Sequence, residues 1–180
     1  MKKFITKIFP FESFVKKKYS ATNCTAIVGF ANVFNVLDEV GDKIFPEAFH
    51  DSLSKHNSND SMPLMYFEHE KPIEGGKWLK VYKSSYGLWV EGYIVNSLVN
   101  QNLVSLINSG KIKGLSVGFF LEDFRTSGNG VREILKGDLV EISLVENPAN
   151  IKSGFQVLSH KNNDLKKHGI FDQRDKNIIF

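Results

Sequence analysis

Apolar residues recur with two different periods along this chain, and each change of period marks a change of element. Between Gly114 and Phe119, Leu115, Val117 and Phe119 alternate with Ser116 and Gly118, the period-2 pattern of a strand with one buried face. The alternation returns where Val140, Ile142 and Leu144 form one face while Glu141 and Ser143 share the other. Pro63 to His69 reads as a third, short strand that delivers a histidine at its end, and Cys24 to Phe30 as a fourth. Trp78 to Lys83 and Leu88 to Val95 flank Ser84-Ser85-Tyr86-Gly87 as a hairpin, across which Trp78 and Trp89 are expected to pack. A polar turn is expected at Asp38 to Asp42, and the loop Thr126 to Gly130 separates the last two long strands.

Helical spacing occurs twice. Phe45, Phe49 and Leu53 lie four apart, Pro46 suits the first helical position, and His56 to Ser61 reads as a polar loop. Val99, Leu103, Leu106 and Ile107 share a face between Ser97, a candidate N-cap, and Gly110, a candidate stop. Strands dominate, so the pattern predicts an α+β fold, mostly antiparallel, with a curled sheet or small barrel covered by two or more helices.

At 180 residues and 42% hydrophobic content, the chain can bury one substantial core. Residues 21–159 are expected to form it. Residues 1–20 read as a basic flexible arm or a short amphipathic helix, and residues 160–180 as a polar, disordered tail. The formal charge of +3 is unevenly placed: residues 1–19 carry +5, residues 160–180 carry +2, and the 140 residues between carry −4. A nucleic-acid-binding domain would carry its positive patch on folded surface, so no nucleic-acid partner is expected. No apolar run approaches the ~20 residues that span a bilayer, and Lys7, Pro10, Glu12 and Lys16 to Lys18 interrupt any signal-peptide core, so neither membrane association nor export is expected. The single cysteine, Cys24, excludes an internal disulfide and suits a reducing compartment as a small core residue.

The chemistry-bearing residues are Ser116, His69 and an acid, all on or beside strands. A serine hydroxyl becomes a nucleophile only beside a base, and a histidine can take its proton and return it to a leaving amine. A carboxylate then holds the imidazole in the right tautomer. Glu141 is placed for this by strand parity, and Asp138, on the opposite parity beside Gly137, is its nearest competitor. Taken singly, a serine between glycines is more often a packing choice, and a histidine between Glu68 and Glu70 a solvated surface residue. His50, His56, Glu68 and His69 lack the spacing of a metal site, and Gly128-Asn129-Gly130 lacks the features of a phosphate loop, so no metal or cofactor is expected.

The order of these blocks along the chain carries more than each block does. Val28-Gly29-Phe30-Ala31, Asp38-Glu39-Val40-Gly41-Asp42 and Phe45-Pro46-Glu47-Ala48-Phe49 precede Phe67-Glu68-His69-Glu70. Pro72-Ile73-Glu74-Gly75-Gly76-Lys77-Trp78, Tyr86-Gly87-Leu88-Trp89-Val90-Glu91-Gly92, the Ser116 block, the Glu141 block and Pro148-Ala149-Asn150 follow. In this series the chain resembles the prohead (capsid-maturation) serine proteases of tailed bacteriophages, themselves similar in fold to the herpesvirus assemblins. It departs at Glu74-Gly75, where the family more often places glycine straight after the isoleucine.

The resemblance implies an assemblin-like barrel, with the nucleophile on Ser116 and the base on His69. It implies a serine endopeptidase that processes scaffold and major capsid proteins and itself, inside the immature capsid in the host cytoplasm, or in a bacterial cytoplasm if prophage-encoded, with homo-oligomerisation left open. Oxyanion donors would be backbone N–H groups near Ser116 or in the following loop. The rival readings are a non-catalytic capsid-assembly or scaffolding module and a basic-tailed nucleic-acid binder.

Overall fold

The computed structural model describes residues 24–158, so the basic arm (1–20) and polar tail (160–180) expected from the sequence lie outside the described residues. The elements run β1 (Cys24–Val33), β2 (Asp42–Ile44), α1 (His50–Ser58), β3 (Leu64–Phe67), β4 (Lys71–Pro72), β5 (Gly76–Lys83) and β6 (Gly87–Val95). They continue with α2 (Gln101–Asn108), β7 (Gly114–Thr126), β8 (Arg132–Val145) and β9 (Gly154–Val157).

Two sheets result. The first has the order β5-β6-β1-β9, with every neighbour antiparallel. In the second, β8 is the centre: β7 pairs antiparallel along one edge, while β2 and β3 share the other, both parallel to β8. Side-chain alternation reports which face a residue takes and not which strand lies beside it, so these parallel pairings were not legible from period.

The expected barrel does not appear as one closed sheet among the described residues. The sheets abut where Phe155 N–H, in β9, donates to Lys113 O, just before β7, at 3.2 Å. That contact does not extend into a ladder. β9 is only four residues long.

The interior between the sheets is filled by residues of both, among them Ile27, Trp78, Leu88, Ile94, Leu115, Ile142 and Leu144, all fully buried. Trp78 also crosses the layers, donating its indole N–H to the Ile142 carbonyl at 3.3 Å. Trp78 and Trp89 do not pack together. A register shift between Trp78 and Lys80 reverses the faces of β5, so Trp89 joins Val28, Phe30 and Tyr82 in a separate cluster. Cys24 packs at the edge of that cluster, half-buried, and burial pushes its thiol pKa up.

Both helices differ from expectation at their ends. Pro46 opens a run of turns, with Ala48 N–H bonding Phe45 O and His50 N–H bonding Glu47 O, and regular helix begins only at His50. It continues through His56 to Ser58, because His56 is held by Ser61 Oγ and the Leu139 carbonyl, each at 3.0 Å. α1 docks on β8 through a polar contact, in which buried Ser52 accepts from Leu139 N–H at 2.9 Å, reinforced by Phe49 edge-on to Phe119. α2 has Asn100 rather than Ser97 at its N-cap position, and Gly110, with φ +75°, lies just past its end as expected. The Asn100 amide bonds the carbonyls of Glu74 and Val95, tying α2 to the β5–β6 sheet. The departing Glu74-Gly75 segment closes as a tight loop, with Gly75 at φ +68°.

Candidate active site

Strand register places the candidate residues in rows. Ser116 of β7 and Tyr66 of β3 both lie opposite Ser143 of β8, and Gly118 and Leu64 both lie opposite Glu141. Directly paired residues share a face, so Ser116, Ser143 and Glu141 stand together on the side away from Leu115, Ile142 and Leu144. Ser116 and Glu141 are largely buried, 9% and 8% exposed, and Ser143 is buried completely.

A bulge in β8 alters the parity on which the acids were compared. Gly118 pairs with Glu141 but Phe119 pairs with Leu139, leaving Val140 as the extra residue. Leu139, not Val140, is therefore the buried neighbour, contrary to the sequence expectation. The bulge also returns Asp138, opposite Phe120, to the sheet face of Glu141, so alternation does not separate the two acids. Their partners do. Asp138 accepts from Ser52 Oγ at 2.9 Å and lies 3.4 Å from Lys55 Nζ, and the Ser52 hydrogen bond leads in holding its carboxyl below the usual range.

His69 arrives from a turn beyond the end of β3. Glu68 and His69 take φ +50° and +58°, a left-handed conformation that costs a non-glycine residue roughly 1–2 kcal/mol. Four hydrogen bonds hold it: Glu68 N–H to Leu144 O, Glu70 N–H to Phe67 O, Glu146 N–H to Glu68 Oε1, and His69 N–H to Ser143 Oγ at 3.1 Å. The turn brings His69 Nδ1 to 2.5 Å from Glu141 Oε1, while Glu141 Oε2 accepts from Ser143 Oγ at 2.7 Å. The Glu141 hydrogen bond raises the His69 pKa against partial desolvation, helped by the negative charges of Glu141 and Glu68.

Among the sequence candidates, the structure thus joins His69 to Glu141 and sets Ser116 on the neighbouring strand, across Ser143 from the His69 backbone. Asp138 is engaged by α1. His50 and His56 also lie in α1, His50 near Glu47 and His56 bonded to Ser61 and Leu139, apart from His69.

Three contributors went unread in the sequence. Ser143 was visible as a neighbour of Glu141 on one face, but its bond to His69 N–H depends on a left-handed turn that no glycine signals. Gly118 leaves the space that the Glu141 carboxylate fills. Asn150 is buried and donates to Asn32 Oδ1 at 3.0 Å and Val33 O at 2.8 Å, while Pro148 packs on Gly114, so the Pro148-Ala149-Asn150 block locks the exit of β8 against β1 and the start of β7.

The fold is shared with proteins of known structure. The bacteriophage T4 capsid assembly protease superposes with a TM-score of 0.56 at 12% identity, over 68% of this chain and 82% of that one. The KSHV protease, solved with a hexapeptide phosphonate inhibitor, superposes with a TM-score of 0.50 at 14% identity, over 76% of this chain and 65% of that one. In sequence, the prohead protease of Enterobacteria phage HK97 is 31% identical over 135 residues, 72% of this chain, and the match spans 58% of that relative's length. The family model for the caudovirus prohead serine protease matches residues 12–168. With this match running through β1, the His69 turn, both long strands and β9, the chain belongs to the caudovirus prohead serine protease family.

Proposed function

We propose that this chain is a serine endopeptidase of phage capsid maturation in which Ser116 is the nucleophile, His69 the general base and Glu141 the group that orients it. The observation that carries the reading is the 2.5 Å contact between His69 Nδ1 and Glu141 Oε1, made on the sheet face that also presents Ser116. With Nδ1–H donating to Glu141, the other ring nitrogen is left as the base. It takes the Ser116 Oγ proton as Oγ bonds to the scissile carbonyl carbon, then gives that proton to the departing amine as the peptide C–N bond breaks. Water repeats the sequence on the acyl-enzyme, releasing the acid and restoring the Ser116 hydroxyl.

The proposed substrates are scaffold and major capsid proteins and the chain's own terminal segments, cleaved inside the immature capsid in the host cell. Enclosure raises the concentration of enzyme and substrate together, so modest peptide affinity suffices. Co-expression with the cognate shell and scaffold proteins, followed by mass spectrometry of the fragments, tests this. The proposal expects defined cleavages with the wild-type chain and uncleaved partners with Ser116→Ala. The same fragments from a folded Ser116→Ala chain would refute it.

A further inference from the structure

Building on the reading of Ser116, His69 and Glu141 as the working groups, we infer that Ser143 is a positioning residue whose single hydroxyl holds both the Glu141 carboxylate and the His69 backbone where the two side chains meet. Ser143 is completely buried, and a hydroxyl offers one donor and two acceptor lone pairs. The donor goes to Glu141 Oε2 at 2.7 Å, and one lone pair takes the His69 N–H at 3.1 Å. A closed circuit results: ring to Oε1, carboxylate to Oε2, Oε2 to hydroxyl, hydroxyl to the His69 N–H, and backbone back to the ring.

Each bond removes a different freedom. The terminal torsion of a glutamate is broad, and the Oε2 bond sets it so that Oε1 faces Nδ1. The bond to the His69 N–H helps hold a backbone at φ +58°, a left-handed conformation uncommon outside glycine. Ser143 is also the cross-strand partner of Ser116, so the circuit is registered to the strand that presents the nucleophile. A serine needed only for its small size would use neither its donor nor its acceptor in this way. The charged groups acting on the ring are Glu141 from β8 and Glu68 from its own turn. Ser143 is neutral, so replacing it changes geometry and leaves the charges in place.

The test uses the full chain with Ser143→Ala, and with Ser143→Cys, which refills the space but bonds weakly, so the question stays answerable if the alanine variant does not fold. Each is made in two backgrounds. In Ser116→Ala, NMR titration of the His69 ring needs no catalysis, and it is expected to move down toward the ordinary imidazole value. In the active chain, kcat for peptide cleavage is expected to fall about ten- to hundredfold with a smaller change in KM. A folded variant with unmoved His69 titration and unchanged kcat overturns the inference. If the titration moves in a chain whose parent cleaves nothing, Ser143 keeps its role and the protease reading fails. If cleavage persists with the titration unmoved, the reverse holds.

Discussion

Gly118 stands directly opposite Glu141 across the β7–β8 pair, and a Cβ on it would overlap Glu141 Oε1 and lie 2.8 Å from the carboxylate carbon. The glycine is therefore a condition for the Glu141–His69 contact rather than a relaxed point in the strand. Gly118→Ala is expected to displace the carboxylate and cut peptide cleavage about a hundredfold. Thermal unfolding should show the ~1–3 kcal/mol cost typical of overpacking. Gly128→Ala is the control, since nothing lies within 4 Å of its added Cβ, and full activity in Gly118→Ala would contradict this account of the site.

With His69 as the proposed base, its raised pKa is expected to set the pH response of activity. The base must be neutral to accept a proton, so the acid limb of kcat/KM is expected above the ordinary histidine value of ~6.5, because the Glu141 hydrogen bond favours the imidazolium. For stability the sign is opposite. The stabilisation from protonated His69 is full below the unfolded value and is lost as pH rises through the raised folded value. A pH–rate profile with its acid limb below the ordinary value would contradict the assigned pair.

The two acids should separate cleanly on substitution. Glu141→Gln leaves the imidazole without its charged partner, so activity is expected to fall by orders of magnitude while some remains, with the His69 titration returning toward its ordinary value. Asp138→Asn is expected to be near normal in cleavage and to lose at most ~1 kcal/mol of stability, as befits the part-exposed contacts to Ser52 and Lys55. Peptide assays and thermal unfolding of both variants decide it. Normal activity in Glu141→Gln with a disabled Asp138→Asn reverses the assignment.

Asn150 is expected to matter for stability rather than chemistry. Asn150→Ala leaves Val33 O and Asn32 Oδ1 without a buried donor, a loss of ~1–3 kcal/mol. Denaturant unfolding should register it, and cleavage per folded molecule should stay unchanged below the new melting temperature. A variant of wild-type stability would mean that the lock on the β8 exit does not contribute.

Much of this arrangement is legible in the sequence because strand alternation is a local signal. Leu115, Val117 and Phe119 announce the face opposite Ser116, and Ile142 and Leu144 that opposite Glu141. The turn Ser84 to Gly87, with its two serines and closing glycine, marks its hairpin in the same way. What escaped depends on non-local partners or on irregular backbone. The parallel pairing of β3 with β8 brings His69 to Glu141, yet no pattern within either strand specifies it. The bulge at Val140 and the register shift beside Leu79 each reverse alternation partway along a strand, which is why Val140 and the Trp78–Trp89 pair were misread. The turn at Glu68 and His69 is left-handed without a glycine, so its hydrogen bonds, not its residue types, hold it in place.

The central claim is that Ser116 is an activated nucleophile, and reaction of the full chain with a fluorophosphonate tests it most directly. Hydroxyls without a base react negligibly, so the reagent reports activation rather than mere exposure. The account predicts a single covalent adduct, mapped by mass spectrometry to the peptide carrying Ser116, lost in Ser116→Ala and strongly slowed in His69→Ala. A folded wild-type chain that takes no adduct at Ser116, or one that labels equally fast without His69, would contradict it.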